Sequence, residues 1–141
     1  ECDSRISEGV MNDRQHSLLT DSIICCFYNV YNKLGYGFLE KVYERALIVE
    51  MMSLGLSVSS QHPISVSYRG QPVGEYFCDL LVEQKVIIEV KATRKLLLEH
   101  EAQLLNYLKA TRIEVGLLLN FGVQPELKRK AFSNQRKGFV G

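Results

Sequence analysis

The chain has 141 residues, a formal net charge of +1, 46% hydrophobic residues and 23% charged residues. This length is close to the commonest size of a single domain, and the composition is too apolar for an intrinsically disordered protein. The near-zero net charge excludes the general attraction to phosphates of strongly basic nucleic-acid-binding domains. Any contact with nucleic acid must therefore be local.

The distribution of apolar residues indicates a cytoplasmic protein with no membrane partner. No apolar stretch approaches the roughly 18 to 20 residues that span a bilayer, and no secretion signal is present. Met11 resembles a natural start. We therefore interpret residues 1–10 as upstream or vector-derived, residues 1–13 as an N-terminal extension, and residues 14–141 as a single domain. The four cysteines form no CxxC pair, so we expect unpaired thiols rather than a zinc site.

Two amphipathic helices are predicted in the first part of the chain. In residues 14–34, apolar side chains recur at steps of three and four, which is the period of an amphipathic helix. Gly35 and Gly37 interrupt this pattern and are predicted to turn the chain. The pattern resumes in residues 39–54 and ends at Gly55, a typical helix stop.

The remainder of the chain predicts a sheet with one more helix. Alternating apolar residues at 64–68, followed by turn residues at 69–72, indicate a hairpin whose second strand reaches about Val82. Residues 86–90 are rich in β-branched residues and predict a central strand. Residues 96–111 predict a helix, and 115–121 a buried strand. A right-handed crossover would make the two buried strands parallel.

The segment from Pro125 onward carries a cluster of basic residues. We interpret it as a solvated tail, with contact to phosphates as the alternative. The basic residues are Lys128, Arg129, Lys130, Arg136 and Lys137.

Two acids and a lysine around the third predicted strand carry the chemistry. Gln84 is midway between Asp79 and Glu89, so a tight hairpin centred on it places the two carboxylates side by side. Like charges directly opposed in a sheet are destabilising, so such a pair suggests a hard divalent cation between them. Lys91 shares the face of Glu89 because side chains alternate along a strand. This set suits phosphodiester hydrolysis. The alternative is a solvated hairpin whose acids are neutralised by Lys91.

Three motifs in the sequence resemble those of known nucleases. Asp79, then nine residues, then Glu89-Val90-Lys91 resembles the D-x(n)-E-x-K signature of PD-(D/E)XK nucleases, with Cys78 where proline is frequent. Residues 37–43 (GFLEKVY) resemble the motif of the GxxExxY protein family, a bacterial and archaeal group of that superfamily. Residues 103–107 (QLLNY) resemble the QxxxY motif of RecB-like exonucleases. The resemblance extends over about residues 14–121. It implies an α/β, restriction-endonuclease-like core in which helices flank a mixed central sheet.

The resemblance also implies a Mg²⁺ or Mn²⁺ site and its ligands. Asp79 and Glu89 would be the main ligands, and the carbonyl of Val90 would be another. Glu40 would be a further acidic ligand or would contact a metal-bound water. Lys91 would orient the attacking water.

Supporting residues are implied as well, each with a structural alternative. Tyr43 lies one helical turn beyond Glu40 and would hold its carboxylate, or would only pack in the core. Gln103 and Tyr107 are one turn apart and would face the site or a bound nucleotide. Otherwise they are a surface amide and a packing aromatic.

The leading functional hypothesis is a metal-dependent nuclease that acts on DNA or RNA, because the set of acids and lysine is complete. The second is a catalytically silent module with the same fold that binds nucleic acid or protein; the near-zero net charge favours it. A third hypothesis, a metal that serves only stability, is disfavoured because Lys91 would repel the cation. A homodimer that shares the substrate surface is compatible with a chain of this size.

Overall fold

A computed structural model describes residues 16–137, which form a five-stranded sheet with three α-helices. The predicted α/β architecture with a mixed sheet flanked by helices is confirmed. None of the helices within residues 16–137 is long and apolar enough to cross a membrane. The extension predicted at residues 1–13 lies outside the described residues. The elements are α1 (Ser17–Leu34), α2 (Glu40–Ser53), β1 (Val58–Tyr68), β2 (Gln71–Val82), β3 (Val86–Lys91), α3 (Leu98–Ala110), β4 (Val115–Phe121), β5 (Pro125–Ala131) and a 3₁₀ helix, Asn134–Lys137.

The strands are arranged in chain order, β1-β2-β3-β4-β5, and only β3 and β4 are parallel. Helices α1 and α2 cover one face of the sheet, where Val86 and Ile88 point. Helix α3 covers the other face, where Ile87 and Leu118 point. Strand β4 is buried along its whole length, as its largely apolar sequence predicts.

The connection between α1 and α2 depends on two glycines. Gly35 ends α1 with φ of 68°, and its N–H donates to the carbonyl of Tyr31 at 2.8 Å. Gly37 has φ of 112°, which side-chain-bearing residues rarely adopt. The glycines therefore turn the chain, as predicted.

The interpretation of the C-terminal basic segment as a solvated tail is wrong. Residues Pro125–Ala131 form the edge strand β5, which pairs antiparallel with β4. Lys130 forms a 2.7 Å ion pair with Glu101, and the Lys137 ammonium donates to the carbonyls of Thr111 and Ile113. The sequence analysis missed this strand because its charged residues suggested a solvated tail. Edge strands commonly carry charged residues, which oppose aggregation, and β5 is stabilised by backbone pairing with β4.

The cysteines follow the prediction in part. Cys26 and Cys78 are buried free thiols, and burial raises their pKa values to about 11 and about 12. The expectation of an unpaired thiol is wrong for Cys25, which is disulfide-bonded. No local sequence motif signals that bond. Cys2 lies outside the described residues.

Candidate metal centre

The candidate site lies at the end of the β2–β3 ladder that is farther from the hairpin turn. Their ladder pairs Val82 with Val86 and Leu80 with Ile88, a register centred on Gln84 as predicted. The turn is tight because Glu83 and Gln84 both adopt positive φ, at 55° and 56°, as in the turns that match the twist of a hairpin. The next residues along the two strands are therefore the predicted acids.

Asp79 and Glu89 lie together just past the end of this ladder. The Glu89 carboxylate accepts a hydrogen bond from the backbone N–H of Asp79 at 2.9 Å. The Asp79 carboxylate accepts one from the backbone N–H of Val90 at 2.7 Å. Each side chain thus bonds to the opposite strand, and these two bonds fix both carboxylates in place.

Burial makes this pair of acids electrostatically costly. Glu89 is only 5% exposed, and burial, followed by the charge of Asp79, raises its pKa to about 8. Burial also raises the pKa of Asp79, against the opposing effects of the Val90 hydrogen bond and the Lys91 cation. Because a buried charge is stabilised by an opposite charge nearby, the pair favours either a bound proton or a cation.

A third acid, Glu44 of α2, adjoins this pair and was not predicted. It is 5% exposed, and burial and then the charge of Asp79 raise its pKa. Its carboxylate accepts hydrogen bonds from Lys41 and Gln61, each at 3.3 Å. The predicted Glu40 is the first residue of α2, is half-buried and has no ion pair with any described residue. The sequence did contain a signal for Glu44, because it lies one helical turn beyond Glu40 and therefore on the same face of α2.

Gln61 of β1 was also missed, and it lies opposite Asp79. The β1–β2 ladder pairs the neighbours on both sides, but Gln61 itself has φ of 52° and leaves the regular strand. Its amide hydrogen-bonds Asp79 as well as Glu44 and so lowers the pKa of Asp79. Across this irregularity the direction of side chains in β2 changes: Cys78 faces α3, whereas Leu80 faces α1 and α2. Nothing in the sequence reveals a positive φ at a glutamine.

Tyr43 is placed in the core and bonds to the α1–α2 connection. Its hydroxyl donates to the carbonyl of Gly35 at 2.7 Å and accepts from the N–H of Phe38 at 3.2 Å. Its ring stacks on Phe121 with centroids 4.1 Å apart. It makes no hydrogen bond to Glu40, so packing is its direct role, and it reaches the site only through the segment that precedes α2.

Gln103 and Tyr107 are brought to the α3 side of the site. Tyr107 is 6% exposed, and burial, then Glu89 and Asp79, raise its pKa to about 12. It therefore lies within electrostatic reach of both acids. Gln103 is one turn earlier and lines a groove beside Tyr107.

The donor set fits a hard divalent cation that keeps part of its water shell. Mg²⁺ in proteins is usually held by one or two carboxylates and retains several waters, and Asp79 and Glu89 supply two carboxylates. Within residues 16–137 no group of three or more His, Cys, Asp or Glu side chains is placed to hold a metal ion. A cation here would therefore depend on two carboxylates, with backbone carbonyl and water oxygens completing its coordination.

Comparison with known proteins supports the family and the fold of this chain. The family model of the PD-(D/E)XK nuclease superfamily matches residues 17–131. The crystal structure of SSO0001 is similar in fold, with a TM-score of 0.54 and 14% identity, and the match covers 84% of this chain and 58% of that one. This chain thus spans less than two thirds of that protein. No curated protein sequence matches this chain. The finer resemblance to the GxxExxY group stays a prediction. From the match over most of its length, the chain belongs to the PD-(D/E)XK nuclease superfamily.

Proposed function

We propose that this protein is a metal-dependent nuclease that hydrolyses phosphodiester bonds in DNA or RNA. The observation that carries the proposal is the buried pair Asp79 and Glu89, whose carboxylates are fixed by each other's strands. Burial raises the pKa of both acids, and a divalent cation relieves that cost as a proton does. Membership of a nuclease superfamily supports the same chemistry.

The residues of the site fall into two groups, those that would bind a cation and those that would position water. Asp79, Glu89 and the carbonyl of Val90 would hold Mg²⁺ or Mn²⁺. When bound, the cation polarises a phosphate and acidifies a coordinated water. Lys91, partly buried at the end of β3, orients the attacking water and stabilises developing negative charge. Glu40, at the start of α2, would be a further acidic ligand or would contact a water of the cation.

Other residues position this group or face the substrate. Gln61 of β1 holds Asp79 and also donates to the carboxylate of Glu44 on α2. Tyr43 supports the segment that leads into α2, through its bonds to that backbone. Gln103 and Tyr107 approach the substrate from α3.

One observation favours a second candidate, a catalytically silent module that binds nucleic acid or a protein. In the described part of the chain, no three ligand-type side chains are grouped as a ready metal site. A homodimer is compatible with both candidates and is tested by the molecular mass in solution.

The deciding experiment measures cleavage of end-labelled single-stranded DNA, duplex DNA and RNA in Mg²⁺ or Mn²⁺. We expect metal-dependent cleavage that is lost in Asp79→Asn and Lys91→Ala. The control is Glu75→Gln, which changes an exposed residue of β2 and should leave cleavage intact. Calorimetry with Mn²⁺ separates the roles: Asp79→Asn weakens binding, whereas Lys91→Ala retains it. Absence of cleavage and of Mn²⁺ binding in a folded wild-type protein would favour the silent module.

A further inference from the structure

A groove lies between α3 and the β1–β2 hairpin. Its volume is about 630 Å³, within the roughly 300 to 1,000 Å³ range of small-ligand sites. Val66 and Tyr76 line it from the hairpin, and Gln103, Asn106 and Tyr107 line it from α3. The groove therefore combines aromatic and amide side chains.

Tyr107 connects this groove to the candidate metal centre. Its ring lies 5.9 Å from that of Tyr76, at an interplanar angle of 44°. The same residue packs in one buried cluster with Cys78, which directly precedes Asp79 in β2. A ligand in the groove would thus adjoin the acids.

The exposed groups in the groove match the face and the edge of a nucleobase. Tyr76 is 48% exposed, so part of its side chain is available for stacking. The amides of Gln103 and Asn106 make no hydrogen bond to another residue of the segment 16–137. Each amide offers both donors and an acceptor, which is the pattern on base edges.

The charges of the groove are unsuited to a phosphate. Glu99 and Lys109 are its two charged lining residues, and their formal charges cancel. The Lys109 ammonium lies 5.6 Å from the ring centroid of Phe132, a residue that does not line the groove. An uncharged, planar, hydrogen-bonding group fits better than a phosphate.

We propose that this groove takes an unpaired base of a nucleic acid whose backbone lies at the acid pair. This inference rests on the proposed function, and it names single-stranded DNA or RNA as the substrate class. In a duplex, the faces of a base are stacked and its pairing edge is occupied. Only an unpaired base can therefore stack on Tyr76 while its edge meets Gln103 and Asn106.

The test measures binding of labelled single strands by fluorescence anisotropy. The full chain is titrated, with Ca²⁺ in place of Mg²⁺, against DNA and RNA strands of about 12 nucleotides and against the DNA duplex. Stacking on one aromatic residue is worth a factor of roughly 5 to 150 in affinity, so we expect Tyr76→Ala to weaken single-strand binding by that factor. Tyr76→Phe keeps the ring and should bind like wild type.

A matched control comes from the neighbouring residue on the same strand. Phe77 is 51% exposed but points to the opposite face of β2, away from the groove. Phe77→Ala should leave binding unchanged. Asn106→Ala is a second probe; it lies on the exposed side of α3, where alanine favours the helix, and should weaken binding several-fold. Stronger binding of one single strand than the other would identify DNA or RNA as the source of the base.

The outcomes separate this inference from the proposed function. The inference is overturned if the duplex binds more tightly than both single strands, if no strand binds, or if Tyr76→Ala behaves like Phe77→Ala. Tyr76-dependent binding without cleavage in Mg²⁺ would remove the nuclease function and keep the groove. Metal-dependent cleavage that is indifferent to Tyr76 would keep the function and remove the groove.

Discussion

Replacing Glu89 by glutamine tests the electrostatics of the buried acid pair. Burial and the charge of Asp79 raise the Glu89 pKa from its ordinary 4.5 to about 8. A group whose pKa is higher in the folded state contributes most stability below its unfolded pKa, and this contribution is lost as the pH rises through the folded value. The metal-free protein should therefore become less stable between about pH 4.5 and pH 8. At about 1.4 kcal/mol per pKa unit, the full loss is roughly 5 kcal/mol.

The assay is thermal unfolding from pH 5 to pH 9 in the presence of a chelator. We expect the wild-type Tm to fall by about 10 to 20 °C across this range. Glu89→Gln should remove most of that decline and leave a residual slope from Asp79 and Glu44, whose pKa values burial also raises. Mg²⁺ should restore the wild-type Tm at high pH because the cation replaces the proton, and it should have little effect on Glu89→Gln.

The control for this experiment is Glu75→Gln, which changes an exposed glutamate on β2. Its Tm should follow the wild-type curve at every pH. A wild-type Tm that stays flat from pH 5 to pH 9 would refute the argument. So would a Glu89→Gln curve that runs parallel to that of Glu75→Gln.

Three further substitutions test the neighbours of this pair. Lys91→Ala should abolish cleavage while Mg²⁺ still raises its Tm at pH 8; full cleavage would remove the lysine from the mechanism. Tyr43→Phe should cost roughly 0.5 to 1.5 kcal/mol of unfolding free energy, since the partly buried carbonyl of Gly35 loses its donor; an unchanged denaturant midpoint contradicts this. Gln61→Gly should keep or raise the Tm, because glycine tolerates φ of 52°, yet lower kcat through loss of the hold on Glu44. Unaltered kcat would make Gln61 purely structural.

The acid pair shows how far local sequence determines a site in this protein. Asp79 and Glu89 are equidistant from Gln84, and a tight hairpin has few possible registers, so their proximity follows from spacing and turn geometry. Strand β4 was likewise predictable with its bounds, because a short, mostly apolar run after a helix is typical of a buried strand in a parallel pair. Both features depend on residues close together in the chain.

Features that depend on pairing between distant segments were not predictable in this way. The sequence of β5 resembles that of a basic tail. It forms a strand because its backbone pairs with the edge of β4. Glu44 approaches Asp79 because α2 packs across the sheet, and Gln61 approaches both acids because β1 departs from regular geometry opposite Asp79. Likewise, Tyr76 meets Tyr107 only after α3 has docked on the hairpin.

The sequence by itself determined the three helices and the first four strands, the mixed α/β fold and the spacing that joins Asp79 to Glu89. These follow from periodicity, β-branched content and hairpin symmetry, which act over a few residues. Only the tertiary structure decided which acid of α2 joins the pair, how deeply the carboxylates are buried and which groove lies beside them. Burial and electrostatic coupling depend on the packing of distant elements, so the raised pKa of Glu89 belongs to the folded protein and has no counterpart in the sequence.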